Sequence, residues 1–293
     1  MSSLTGKDRE QYVRSLFSAI AGQYDRMNQI MTLGLLPRWQ ARAVATLRLQ
    51  PGASALDVCC GTGELALAMA RLVQPGGRVV GLDFTPAMLE LARRKAQVLR
   101  DAGLTGVAAS LHFVEGDALN LPFADNEFDG AICGFAFRNV TDLPRAIREM
   151  ARVVRPGGRV VSLEMSHPES PLLALGHRLY LYGAVPVLGY LLASRRRIGG
   201  QERPYTYLPH SLTRFPGRRA LEDLFRAQGL TDVGSVPLLG GAAAIHWGVK
   251  PGGHGGPLSD EGPQNPIRQD GKNSQACQGI ETLAFPRQLE GGP

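Results

Sequence analysis

From residue 53 onward, short β-branched apolar runs alternate with longer stretches whose apolar residues recur at helical spacing, and Gly and Pro punctuate the joins. That rhythm predicts a parallel sheet covered by helices. The strand candidates are 54–60 (SALDVCC), 78–84 (RVVGLDF), 111–117 (LHFVEGD), 128–137 (FDGAICGFAF) and 159–166 (RVVSLEMS). Between them lie predicted helices over 63–73 and 143–154, the first ended by the turn QPGG and the second by RPGG. A third helix covers 85–103, with Thr85 as its cap, Pro86 at its first position and Gly103 at its stop. A helix near 218–228 precedes two strand-like runs, 231–239 and 242–250, joined by Gly240-Gly241. This C-terminal antiparallel hairpin completes an α/β fold: a seven-stranded, mostly parallel sheet with helices on both faces.

Residues 1–50 precede the sheet and are expected to form a helical lid, and 51–250 form the sheet domain. A helical insertion interrupts that domain at 166–215. Residues 251–293 hold nine glycines and six prolines in 43 positions with few apolar residues to bury, so disorder is expected there.

The chain of 293 residues is 44% hydrophobic and 20% charged, which supplies a real core and excludes wholesale disorder. Its formal net charge of +6 is diffuse; it suits contact with an anionic surface without pointing to nucleic acid. Cys59, Cys60, Cys133 and Cys277 fit neither a disulfide framework nor zinc-ligand spacing, so a reducing cytoplasm is the natural setting and no metal is expected. The polar start MSSLTGKDREQ lacks the apolar stretch of a secretory signal. The longest uncharged apolar run, 179–194, has 16 residues and is broken by Pro186, short of the ~20 that span a bilayer.

The turn after the first strand reads Asp57-Val-Cys-Cys-Gly61-Thr62-Gly63-Glu64, where small residues bare backbone N–H groups at a helix start. A nucleotide-like cofactor is implied. Gly61-x-Gly63-x-x-Ala66, with Asp83 about 20 residues further on, also satisfies the dinucleotide fingerprint, so the glycines leave two readings open. Charge separates them. A pyrophosphate wants a neutral or cationic cradle, whereas Asp57 and Glu64 suit the ammonium and sulfonium of S-adenosylmethionine. Asp83 is then placed to accept the ribose hydroxyls, and Gly116-Asp117 to meet the adenine edge. The alternatives are a helix-capping acid at Asp83 and an ordinary turn residue at Asp117.

Tyr24-Asp-Arg-Met-Asn-Gln-Ile-Met-Thr-Leu-Gly34 with Trp39, and Arg152-Val-Val-Arg-Pro-Gly-Gly-Arg-Val-Val-Ser-Leu-Glu-Met-Ser166, resemble the two signatures of the ubiquinone/menaquinone biosynthesis C-methyltransferases. LPFADNEFD and FAFRNVTD resemble that family too, and the likeness runs from about residue 12 to 250. The resemblance implies a class I methyltransferase fold of Rossmann-like type, S-adenosylmethionine as donor, and a prenylated quinol methylated at a ring carbon. It places donor contacts at Thr62, Asp83, Gly116 and Asp117. Gly134 stands where some relatives carry serine, Arg155 where lysine is usual, and Thr32 where serine is usual. CCGTG and LGLLPRW look more like the menaquinone branch, so the expected reaction converts demethylmenaquinol, a prenylated naphthoquinol, to menaquinol. A benzoquinol or other aromatic or lipid acceptor is the nearest rival, and a donor-binding accessory subunit without turnover is the non-enzymatic one.

Methylating an aromatic carbon needs an electron-rich ring, which an ionised ortho hydroxyl provides. Arg138 is the candidate to stabilise the phenolate or to polarise a water that takes its proton, and Asn139 to position the hydroxyl. The bland alternative is a strand-end turn with a surface cation. Tyr24, Asp25, Met27 and Asn28 close over the donor as a lid or merely cap a helix. Residues 172–193, rich in Leu, Tyr and Val and followed by Arg195, Arg196 and Arg197, suit a prenyl tail and anionic headgroups, placing the protein against the inner face of the cell membrane. The same pattern also fits a core or homodimer helix pair. His167, His177, His210 and His246 read as structural.

Overall fold

The computed structural model describes residues 6–185, 187, 211, 212 and 215–252. The expected disorder of 253–293 and the cluster Arg195–Arg197 lie outside the described residues. The chain opens with α1 (Gly6–Ile20), α2 (Tyr24–Met31) and α3 (Leu36–Thr46). It then alternates β1 (Ser54–Val58), α4 (Glu64–Leu72), β2 (Arg78–Asp83), α5 (Pro86–Asp101), α6 (Thr105–Ala109) and β3 (Leu111–Glu115). After a long crossing come β4 (Phe128–Gly134), α7 (Leu143–Val153), β5 (Val154–Met165) and α8 (Pro171–Leu179). The last elements are α9 (Arg218–Ala227), β6 (Thr231–Leu238) and β7 (Ala243–Val249).

The seven strands lie in the order β3-β2-β1-β4-β5-β7-β6, and β7 alone runs against its neighbours. The hairpin expected at the C-terminus is therefore inserted so that its second strand, β7, pairs with β5. The strand order reverses between β1 and β4, and open α/β sheets place their ligand crevice at the carboxyl ends flanking such a reversal.

Successive side chains of a strand point to opposite faces, and here both faces are covered. On one face Ala55, Val79, Ile132, Val161 and Ile245 pack with Trp39 and Val44 of α3, Leu67 of α4 and Leu99 of α5. On the other, Leu56, Val80, Phe128 and Val160 pack with Ile147 and Met150 of α7 and Leu221 and Phe225 of α9. Burial on both faces explains why the strands read as near-continuous apolar runs. It also shows that α3, within the segment expected to form a lid, is part of the central three-layer core.

Three of the differences from the sequence reading have a backbone reason. β1 stops at Val58 because Cys59 turns to φ 57°, and β4 stops at Gly134 because Phe135 turns to φ 54°. Both left-handed turns sit at the carboxyl ends that flank the crevice. The Arg155-Pro-Gly-Gly turn is enclosed in β5 as an excursion: from Phe128 to Gly130 on β4, the partners on β5 advance from Val154 to Arg159. The excursion is tied down by Gly157 N–H to Lys250 O (2.8 Å) and Lys250 N–H to Gly158 O (2.9 Å). The short α6 has no counterpart in the sequence expectations. Within the expected insertion, α8 and a π-helical turn at Tyr180–Ala184 are helical. No helix among the described residues is long and apolar enough to cross a membrane.

The two glycines of the excursion should differ in tolerance. Gly157, at φ 82°, has open space around an added Cβ, whereas a Cβ on Gly158 would lie 2.5 Å from Asp129 O and 2.6 Å from a Val154 methyl. Gly157→Ala should cost about 1–2 kcal/mol from left-handed backbone alone. Gly158→Ala adds overpacking against fixed backbone, about 1–3 kcal/mol and at the upper end of that range. Urea denaturation of the two variants, compared with the parent, orders them.

Candidate active site

Two cavities meet at the carboxyl ends of β1, β2, β3 and β4. The smaller, about 280 Å³, is lined by Gly61, Asp83, Gly116, Asp117, Gly134 and Asn139 among others. Asp83 ends β2, and its two oxygens divide their work. Oδ2 accepts the Gly61 N–H at 2.9 Å and Oδ1 the Thr85 N–H at 2.8 Å, which fixes the β1 turn to the β2 turn. Burial pushes the Asp83 carboxyl above its usual range, and these backbone N–H groups partly oppose the shift. Asp117 accepts the N–H of Leu119 at 2.8 Å, which points its carboxylate along the wall of the same cavity.

The glycines are here for space. Gly61, at φ 53°, lines the cavity and nothing lies within 4 Å of where its Cβ would be, so bare backbone faces the opening. At Gly116 a Cβ would meet Leu82 Cδ1 at 2.7 Å, and at Gly134 it would meet Leu65 Cδ1 at 2.6 Å. A serine at position 134 would require Leu65 to move.

Asp57, Thr62, Gly63 and Glu64 stand behind the cavity wall. Asp57 is fully buried and accepts the Ala66 N–H at 2.9 Å, capping the first turn of α4 from beneath, and burial pushes its carboxyl well up. Gly63, at φ 82°, begins α4, and a Cβ there would touch Ala92 at 3.0 Å and Phe113 at 3.1 Å. Thr62 donates its hydroxyl to Asp25 at 2.6 Å. Lys95 of α5 bonds the other Asp25 oxygen at 2.6 Å and also pairs with Glu64. The side chain of Asp25 therefore reaches from α2 into the turn after β1 and ties α2 to it. Desolvation lowers the pKa of Lys95, but the two carboxylates outweigh it and the net shift is upward.

The larger cavity, about 350 Å³, adjoins the first and shares Phe17, Tyr24, Phe135 and Asn139 with it. Its walls are apolar, from Leu16 and Ile20 of α1, Met31 of α2, Trp39 of α3, and Leu172 and Leu173 of α8. Arg138 and Asn139, on the 3-10 turn Phe137–Asn139 that follows β4, also line that cavity. Tyr24 lies between the cavities, and burial raises its phenol pKa against the opposing pull of the Arg138 cation.

One group here has no role assigned by the sequence motifs. Glu164 of β5 is fully buried, accepts the N–H groups of Ala136 and Phe137 at 2.8 Å each, and lies 3.7 Å from Arg138 Nη1. Burial raises its carboxyl to about 7, with Arg138 and the two N–H groups acting against the shift. The available signal was a lone carboxylate in the otherwise apolar strand RVVSLEM.

A 3-2-1-4-5-7-6 sheet with β7 antiparallel is the topology of the class I methyltransferase fold. Solved structures agree on the fold. A SAM-dependent methyltransferase from Thermotoga maritima superposes with a TM-score of 0.55 at 19% identity, covering 80% of this chain and 98% of that one. The 4+2 cyclase SpnF superposes at 0.54 and 21% identity, covering 74% and 82%, so this fold also carries other chemistry. The model of the ubiE/COQ5 methyltransferase family matches residues 5–250, and the chain belongs to that family. Its relatives include proteins named demethylmenaquinone methyltransferase from Desulfitobacterium hafniense, 40% identical over 86% of this chain and 94% of that protein, and from Symbiobacterium thermophilum, 40% identical over 83% and 94%.

Its methyl donor is S-adenosylmethionine. The residues present fit that group: open backbone at Gly61, Asp83 at the end of β2, and Asp117 on the opposite wall.

Asp117→Ala should weaken S-adenosylhomocysteine binding about 10-fold, and Asp83→Ala about 100-fold, the range expected for hydrogen bonds to a charged acceptor. Isothermal calorimetry reads both. Asp25→Ala should leave the core intact but speed amide hydrogen exchange across α2, because that helix loses its bonds to Thr62 and Lys95.

Proposed function

We propose that the protein methylates demethylmenaquinol to menaquinol, with a prenylated naphthoquinol as acceptor. The observation that carries this reading is the shared wall between the cavities: an acid-lined donor site opens beside a mainly apolar one, and Asn139, next to Arg138, lines both. Bound S-adenosylmethionine supplies a sulfonium-activated methyl group. Asn139, common to both cavities, orients the ring hydroxyl ortho to the accepting carbon; a water takes that hydroxyl's proton, the Arg138 cation stabilises the oxyanion left behind, and after the C–C bond forms the resulting dienone loses its ring-carbon proton to water and regains one on oxygen. Trp39, Met31 and Leu36 exclude water and leave the cationic side chain in a low-dielectric wall, where its field is strongest. Thr62, Asp57 and Gly63 act on the donor indirectly, by shaping the turn that ends in bare backbone at Gly61.

The apolar cavity continues onto the surface. Leu33 and Leu172, both lining it, are 73% and 78% exposed, and Leu175, Leu179, Val187 and Leu239 add further exposed apolar area. In our reading this rim rests on the inner face of the cell membrane, so that the prenyl chain leaves the cavity into lipid. The protein is then cytoplasmic and peripheral. A homodimer formed through the same rim is the competing occupant.

Arg138→Ala should lower kcat with a prenylated naphthoquinol by about 10²–10³-fold, the usual loss of one oxyanion-stabilising donor, with little change in donor affinity. Substitution without effect on kcat would remove it from the chemistry, and faster turnover of the matching benzoquinol would reassign the acceptor. Leu172→Glu with Leu179→Glu should abolish co-sedimentation with anionic vesicles. Unchanged sedimentation, or loss of a dimer in its place by light scattering, would assign the rim to the protein partner.

A further inference from the structure

The turn that carries Arg138 and Asn139 is not held by the sheet. β4 ends at Gly134, Phe135 N–H bonds Leu163 O at 2.7 Å, and beyond it the chain leaves the ladder with Phe135 at φ 54°. The next two N–H groups, of Ala136 and Phe137, both converge on Glu164 Oε1. The second oxygen, Oε2, is buried, accepts no hydrogen bond and faces Arg138 Nη1 at 3.7 Å. One side chain thus grips the backbone of the turn with one oxygen and the cation it presents with the other.

We propose that Glu164 is a positioning residue of the methyl transfer: it sets the Phe137–Asn139 turn and aims the Arg138 guanidinium at the ring oxygen in the acceptor cavity. The proposal rests on the acceptor reading above. A structural carboxylate would not need a cation at 3.7 Å, and a buried carboxylate kept only for stability is a poor choice, since burial disfavours its charged form. Here the backbone bonds and Arg138 together keep a substantial fraction of it ionised at neutral pH, with its pKa raised to about 7.

The titratable groups that face Glu164 are few. Arg138 approaches from the turn after β4, and Cys133 of β4 is a thiol whose pKa burial pushes well up, so it stays neutral. On β7 the cross-strand partner is Ala244. Protonation of Glu164 is therefore the event that releases Arg138. The group binds its proton more tightly folded than unfolded, so its ionisation costs stability as pH rises from the ordinary carboxylate range through about 7.

The test compares parent, Glu164→Gln, Arg138→Ala and the double variant with a prenylated naphthoquinol under reducing conditions. Glu164→Gln should lower kcat about 10–100-fold while KM for the donor and S-adenosylhomocysteine affinity stay within about twofold. The acid limb of its kcat/KM profile near pH 7 should vanish, and its denaturation midpoint at pH 8 should match or exceed the parent's. Added to Arg138→Ala, the substitution should cause no further loss of kcat, because its effect passes through that arginine. Glu164→Gln with parental kcat and an unchanged pH profile would overturn the proposal. So would a loss of kcat matched by loss of stability or donor affinity, or full additivity with Arg138→Ala. If the parent itself does not methylate the naphthoquinol, the acceptor reading fails, and the same comparison is run with the benzoquinol it would then favour.

Discussion

The geometry of the whole crevice depends on how the chain leaves the sheet at two neighbouring strand ends. Cys59 and Phe135 both adopt left-handed backbone immediately after β1 and β4, on the two sides of the strand-order reversal. Non-glycine residues enter that region at a cost, and they stay there only when the surroundings hold them. Each turn is held by a buried carboxylate from the adjacent strand. Asp83 of β2 binds the Gly61 N–H, and Glu164 of β5 binds those of Ala136 and Phe137. The two cavities are therefore bordered by the same device used twice, an acid on an outer strand that closes the turn on the strand inside it.

Much of this was legible in the residues because it rests on periodicity and punctuation. Strands buried on both faces give uninterrupted apolar runs, and helices such as α5 show their start in Thr85-Pro86 and their stop at Gly103. The grouping of the strand-end residues was legible in part: Gly61, Asp83, Gly116 and Asp117 line one cavity. Asp57 was placed with them by the simple rule that acids at neighbouring strand ends share a crevice. That rule gives the height of a residue on the sheet but not the side to which it points, and Asp57 points under α4 to cap it. Thr62 turns the same way for a different reason, since its hydroxyl meets Asp25 of the lid.

Glu164 shows the limit of such reading. RVVSLEM marks this glutamate as a lone carboxylate within a strand but not as a support for residues 27 and 28 positions earlier; that relation exists only once β5 lies beside β4. Lys95 is similar, because an α5 lysine reads as one more solvated cation until α2 and the turn after β1 bring Asp25 and Glu64 to it. Both are long-range pairings of charge, and hydropathy patterns carry no information about them.

The first two helices serve both halves of the crevice. Asp25 anchors them to the turn after β1, while Leu16, Phe17 and Ile20 form part of the apolar wall. One shared pair of helices therefore walls the two compartments, with Phe17 and Tyr24 common to both, and any displacement of that pair resizes both openings at once.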